Sequence, residues 1–327
     1  MWLAVLAFVV GAVTFPSQAA NINVAAGKVA VIPGNGECSL REAILNAEAG
    51  GTDPSGVDCT AGSPGSNTIS LAAGTYTLPD SAVSDVTYGN SGLPAVNSTI
   101  EISGNGSTIS GAGCGSGTKF RIFYVGPTGN LTLNNLTLQN GCADFGGTGA
   151  GGALFNRGTL SLFQATITNN QAAFSAGAIQ NDGTLNLTQS TISNNNVPFG
   201  GGNGGAGGGI VNRGTMTVLQ STINGNSTTG AGGGVDTGGS ATATFANTTV
   251  SGNMSVGTGG GMFFSAAPLA TVVNSTVTNN SSDGLGGGGI WVNYGGTVAL
   301  TNSIVARQVK SENCWFLGFG NMLGGAC

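Results

Sequence analysis

Three short segments offer the clearest chemistry in this chain: Asn156-Arg157-Gly158, Asn181-Asp182-Gly183 and Asn212-Arg213-Gly214. Stacked one above another at a single strand spacing, they would hold Asp182 between Arg157 and Arg213. Such a column could bind a small anion, or supply an arginine base with an aspartate to orient it. The competing reading is an axial ladder of exposed charges, worth about 0–1 kcal/mol per pair. Alternating charges on an exposed face favour that second reading. The remaining acids of the same region, Asp144, Asp236 and Asp283, are not sequence neighbours and fall in turns or glycine loops. Glycoside cleavage needs two carboxylates flanking one bond, and this pattern guarantees no such pair. No catalytic residue is therefore expected. Arg157, Asp182 and Arg213 form the alternative site, that of a polysaccharide lyase or glycoside hydrolase.

Composition narrows the classes further. The 327 residues include no His, which removes the usual metal ligand and the usual general base near neutral pH. Glycine runs at Gly146–Gly149 and Gly200–Gly205 lack the Gly-Lys-Ser/Thr ending of a phosphate loop. They also lack the aspartates of calcium-binding repeats, so they are expected to project as flexible loops. No metal and no cofactor is expected. Eight basic residues are scattered through a chain of net charge −5, the opposite of a nucleic-acid footprint. Phe163, Phe174, Phe199, Trp291 and Tyr294 are candidate platforms for a sugar, which makes extracellular polysaccharide or a cell-surface component the expected partner.

The start of the chain reads as an export signal over residues 1–20. Leu3–Val13 is apolar but short for a membrane span, and Ser17-Gln18-Ala19 offers a small-x-small cleavage pattern. No Lys or Arg precedes the apolar run, and a short membrane anchor is the alternative. No later stretch is expected to span a membrane. Six cysteines, Cys38, Cys59, Cys114, Cys142, Cys314 and Cys327, fit an oxidising compartment. Fifteen pairings are possible. Proximity in sequence favours Cys38–Cys59, Cys114–Cys142 and Cys314–Cys327, and none of them has Cys-x-x-Cys spacing.

What must position these residues is a repeat. An aliphatic residue recurs at Leu138, Ile167, Ile192, Ile223, Val250, Val277 and Ile304, spaced by 29, 25, 31, 27, 27 and 27 residues. Periods of that size indicate a solenoid. Between them a glycine run leads into an aliphatic residue, as in Gly207-Gly208-Gly209-Ile210. Thr159–Leu162 and Ala165–Thr168 alternate with period two, and Thr and Ile favour strands. Glycine at this density would cost a helix about 1 kcal/mol per residue. The fold class is therefore all-β: a right-handed parallel β-helix of six or seven coils with three short strands per coil. Three residues after the aliphatic stand Asn170, Asn195, Asn226, Asn253 and Asn280. Asn tolerates left-handed backbone, and stacked amides can hydrogen-bond along the axis. They are expected to form a structural ladder at a turn.

A solenoid needs caps on its open strand edges. Ser39 and Glu42 have capping-box spacing, and Leu40, Ala43, Ile44 and Ala47 form one apolar stripe. A short helix over 39–49 is expected to lie as a lid on the first coil, pinned by Cys38–Cys59. The chain thus divides into a cap at 21–66, a β-helix at 67–307 and an end segment at 308–327. Cys38-Ser39-Leu40-Arg41-Glu42-Ala43 resembles the signature of the CSLREA domain of exported bacterial β-helix proteins. Asn302–Ala306, Asn313-Cys314, Gly320–Leu323 and Cys327 resemble the choice-of-anchor Q region of such proteins. The repeats are similar in architecture to polymorphic outer membrane proteins, with Ile-x-x-Asn or Val-x-x-Asn in place of Phe-x-x-Asn. These resemblances imply export, a β-helix and surface display or adhesion, with no defined reaction. Relatives usually continue into an anchor beyond this region, so a freely secreted chain or a truncated gene is expected.

Overall fold

The computed structural model describes residues 19–79, 83–85, 89–115, 117–144, 149–199, 207–266, 268–284, 286–317 and 321–323. The apolar run of the expected export signal, most of the two glycine runs and Cys327 lie outside these residues.

The coil beginning at Thr159 shows the unit. Strand Thr159–Phe163 is followed by left-handed Gln164, strand Thr166–Thr168, left-handed Asn169, strand Gln171–Ala172, a glycine turn and strand Ile179–Asn181. The next coil starts at Thr184. Pairing between coils is parallel and in register, with Leu160 on Leu185, Ile167 on Ile192 and Ile179 on Ile210. The described residues form three parallel sheets of eighteen, eight and six strands, beside one small antiparallel hairpin. The largest sheet takes two short strands from each coil, bent at the left-handed residue between them. The chain is thus an all-β parallel solenoid with three sheet faces.

Alternation decides which side chains go inside. Leu160, Leu162, Ile167 and Ile179 point into the stack and are fully buried, as are their equivalents above and below. Each contributes roughly 1.5–3 kcal/mol relative to exposure. A lone coil could not gain this, since its interior is closed only by its neighbours.

Two turn positions need special backbone. The residue before each ladder asparagine is left-handed: Asn169, Asn194, Gly225, Gly252 and Asn279. The ladder residues themselves are not, which corrects the expectation that Asn170 and its equivalents supply the left-handed turn. The positive-φ residue bends the chain, and the asparagine after it points inward. At the other turn, Gly207, Gly232 and Gly259 have φ of 64°, 70° and 64°. The glycine that follows packs backbone on backbone, so a Cβ on Gly233 would run into the carbonyl of Gly260.

The helix Leu40–Ala49 opens at Ser39 with both halves of a capping box: Glu42 N–H donates to Ser39 Oγ, and Ser39 N–H donates to Glu42 Oε2 at 3.0 Å. Gly50 ends it in the left-handed conformation. Leu40, Ala43, Ile44 and Ala47 are buried against strands Ala20–Val24 and Ser66–Leu71. Among the described residues the stack begins at Ala20, which pairs with Asn67, so the segment before the helix already supplies a strand. Arg41 is buried with it and donates from Nε to Gly92 O at 2.9 Å. Burial holds its guanidinium below the usual arginine pKa.

Disulfides join Cys38 to Cys59 and Cys114 to Cys142, and Cys314 is also disulfide-bonded. Cys38→Ser with Cys59→Ser opens a loop of 21 residues, which removes about 3 kcal/mol by loop-closure entropy. Faster amide exchange confined to the cap is the expected result, because distant coils do not share its contacts. Equal loss of protection around Thr222 would show instead that the stack unfolds as one unit.

Candidate functional site

Asn156, Asn181 and Asn212 end three successive strands in register, and their side chains are fully buried. Asn156 Nδ2 donates to Asn181 Oδ1 at 2.7 Å, and Asn181 Nδ2 to Asn212 Oδ1 at 2.7 Å. This is a second amide ladder inside the stack. Its signal was present in the three Asn-x-Gly segments, but there attention falls on the charged residue between.

The charged residues that follow these asparagines stack at equivalent positions but do not pair with one another. Asp182 is exposed and accepts from Gln180 Nε2 at 2.7 Å. Arg213 turns to Asp236 on the next coil, with Nη1–Oδ1 3.2 Å and Nη2–Oδ2 3.1 Å. Among the described residues, Asp182 is in no ion pair with Arg157 or Arg213. The cause is burial. The Asp236 side chain is 3% exposed, and a carboxylate out of water requires a countercharge, whereas Asp182 is hydrated and needs none.

Asp236 itself lies in strand Val235–Gly238, not in a turn or glycine loop as the sequence suggests. It belongs to an outward column of the eight-stranded sheet in which Phe155, Gln180, Val211, Asp236, Phe263 and Trp291 are register partners. The glycine turns fold back over this column, with Gly207 against Val211, Gly232 against Asp236 and Gly259 against Phe263. Burial pushes the Asp236 carboxyl above its ordinary pKa, and the Arg213 guanidinium opposes that shift. An acid at a position otherwise held by large or apolar side chains was the signal for it. Trp291 also leaves the set of candidate platforms, since it is 6% exposed and stacked 6.0 Å from Trp315.

The cysteines mark a second place. Beside Cys114–Cys142 opens a cleft of about 420 Å³, lined by Lys119, Asp144, Gln171, Ala173 and Phe199. Cys142 and Gln171 come from paired strands of the six-stranded sheet, and the disulfide ties the segment carrying Lys119 to that sheet. Phe199 is 56% exposed. Next to the cleft, the fully buried Arg121 donates from Nη2 to Ala150 O at 3.2 Å and lies 5.4 Å from the Phe155 ring. Tyr124 meets the same ring edge-on at 6.0 Å. A cation, a carboxylate, an amide and an exposed phenylalanine thus share one rim. Of the three acids Asp144, Asp182 and Asp236, only Asp144 lines it. Lys119 and Gln171 have no partner in the repeat pattern that could single them out.

The five ladder asparagines are buried. Each Nδ2 donates to the next Oδ1: Asn170 to Asn195 at 3.0 Å, Asn195 to Asn226 at 2.9 Å, Asn226 to Asn253 at 3.0 Å and Asn253 to Asn280 at 2.9 Å. They sit within the stack, where a ligand has no access.

No curated protein and no solved structure matches the chain. A family model described as a right handed beta helix region matches residues 121–305, the span that contains both ladders, Asp236 and the Asp144, Gln171 and Phe199 side of the cleft. That span exceeds half of the chain, whose coils have the parallel pairing such a model describes, and the chain belongs to the right-handed β-helix family.

Proposed function

We propose that this protein is an exported, surface-associated β-helix scaffold that binds a saccharide of an extracellular polysaccharide or cell-surface glycan and does not cleave it. The cleft beside Cys114–Cys142 carries the reading. An exposed phenylalanine, Phe199, lines it together with Lys119, Asp144 and Gln171, the mix of apolar and polar side chains that a sugar-binding cleft uses. Disulfides support an oxidising compartment, where they persist. Among the described residues no helix is long and apolar enough to cross a membrane. The resemblance of the cap to the CSLREA signature points the same way, towards export and adhesion.

The test is binding of the purified chain to a panel of neutral and acidic polysaccharides, with product analysis on the same samples. Phe199→Ala is expected to weaken retention about tenfold, equivalent to 1.4 kcal/mol, with the circular dichroism spectrum unchanged. Unsaturated products or new reducing ends would overturn the scaffold reading and return attention to Arg157, Asp182 and Arg213.

A further inference from the structure

The outer face of the largest sheet carries a column without variation. From Thr75 through Thr108, Thr166 and Thr222 to Thr276, eight strands in succession place threonine at one register position. Two residues further along each strand runs a second column, from Thr77 to Thr278, made only of Thr, Ser, Gln and Asn. The inward residue between them changes freely, from Tyr76 to Ile109, Leu138 and Val277. Strand propensity alone would admit Val, Ile or Tyr on the outside as well. The backbone accepts them too, because the following coil has Ile304 and Ala306 at these two positions.

The geometry is that of a lattice. Coils repeat about 4.8 Å apart and alternate residues of one strand lie about 6.7 Å apart. No register shift interrupts either column. Threonine has a stiff χ1, and between Thr166 and Thr276 the threonines of the first column are half-buried by one another. Hydroxyls and methyls therefore stand at fixed points on a narrow strip, and each hydroxyl can hold a bridging water in place. The two spacings lie close to the two oxygen repeats on a prism face of hexagonal ice.

Charge selects among occupants. Neither column contains an ionisable or aromatic residue, in a chain of net charge −5. An acidic polymer finds no cation there and a sugar ring finds no platform, whereas a crystal of water is itself uncharged. We propose that this threonine face binds ice, matching ordered water to a crystal surface in two dimensions. The proposal goes beyond the saccharide reading, since the cleft lies on the six-stranded sheet and shares no residue with the face.

The full chain is tested on single ice crystals held just below melting, with ice recrystallisation as a second readout. Faceted crystals, a gap between melting and freezing points and slowed recrystallisation are expected. Thr191→Tyr with Thr222→Tyr keeps strand-forming residues but breaks the flat strip, and should abolish all three effects at unchanged circular dichroism. Tyr294→Ala, at an exposed turn away from the face, should leave them intact. Round, unfaceted crystals with the unaltered chain would overturn the proposal, as would faceting that survives the double substitution. Retention on a neutral polysaccharide lost with the same double substitution, without any effect on ice, would assign the face to a glycan instead.

Discussion

Asn226→Leu is expected to destabilise the stack by about 3 kcal/mol, a large change for a substitution that adds apolar surface. Asn226 Oδ1 accepts from Asn195 N–H at 3.0 Å and from Asn195 Nδ2 at 2.9 Å. Its own Nδ2 donates to Ile192 O at 2.9 Å and to Asn253 Oδ1. Leucine removes all four contacts while every partner stays buried, and each buried polar group left unmade costs about 1–3 kcal/mol. Gln220→Asn is the matched control. Gln220 holds a left-handed turn on the exposed surface and meets Gln189 at 3.4 Å. Asparagine tolerates that backbone, so a change within about 0.5 kcal/mol is expected there. Urea unfolding of the two variants checks this, and equal midpoints would mean that the ladder adds no more than an exposed amide does.

Arg213→Met is expected to cost about 2–3 kcal/mol at pH 7, less than the loss of one partner from a fully buried pair, because the Asp236 side chain is 3% exposed but that of Arg213 is 38% exposed. The penalty should depend on pH in a defined direction. Burial raises the folded-state pKa of Asp236 above its unfolded value, which is about 3.9. Its contribution to stability is thus fully present below that unfolded value and is lost as pH rises through the raised one. Without Arg213 the folded pKa climbs further, so the deficit of the variant is greatest near neutrality and fades towards pH 4. Asp236→Asn in the same background should restore most of the loss at pH 7, because no charge then remains to be paired. Denaturation series between pH 4 and pH 8 decide the matter. A deficit that stays constant across that range would show that Arg213 acts by packing its stem, not by its charge.

Much of this architecture is legible in the sequence, and the Arg213 pair is not. Period-two alternation and the recurring aliphatic at Leu138, Ile167 and Ile192 are enough to set the coil, because inward and outward positions follow from the pleat. The capping box at Ser39 and Glu42 is equally local, a contact over three residues. The partner of Arg213 was not legible. Stacking places Arg157, Asp182 and Arg213 at equivalent positions, but the direction in which a guanidinium leans depends on which carboxylate is dry. That is settled by the glycine turns lying over Asp236, and nothing in the spacing of glycines says that they fold back onto the sheet. The cleft was hidden for another reason. Lys119, Asp144 and Phe199 are separated by dozens of residues and meet only because the disulfide and the six-stranded sheet bring their segments together. The period identifies the ladder asparagines, but the left-handed residue stands one position before each of them. An inward amide and a left-handed turn are neighbouring demands, and Asn can meet either one.

The last rung of the ladder has its own consequence. Asn280 donates from both its backbone and its side chain to Gln308 Oε1, at 2.9 and 3.3 Å. Gln308 Nε2 then turns back on Val277 O and Ala306 O at 3.0 and 2.8 Å. Both of its hydrogens are spent on its own coil and the one before it. A row of aligned amides would otherwise finish on a donor seeking one more acceptor, an invitation to the open end of another molecule. Gln308 withdraws that invitation, so the row that lends the rod its internal order does not also template its growth into a filament.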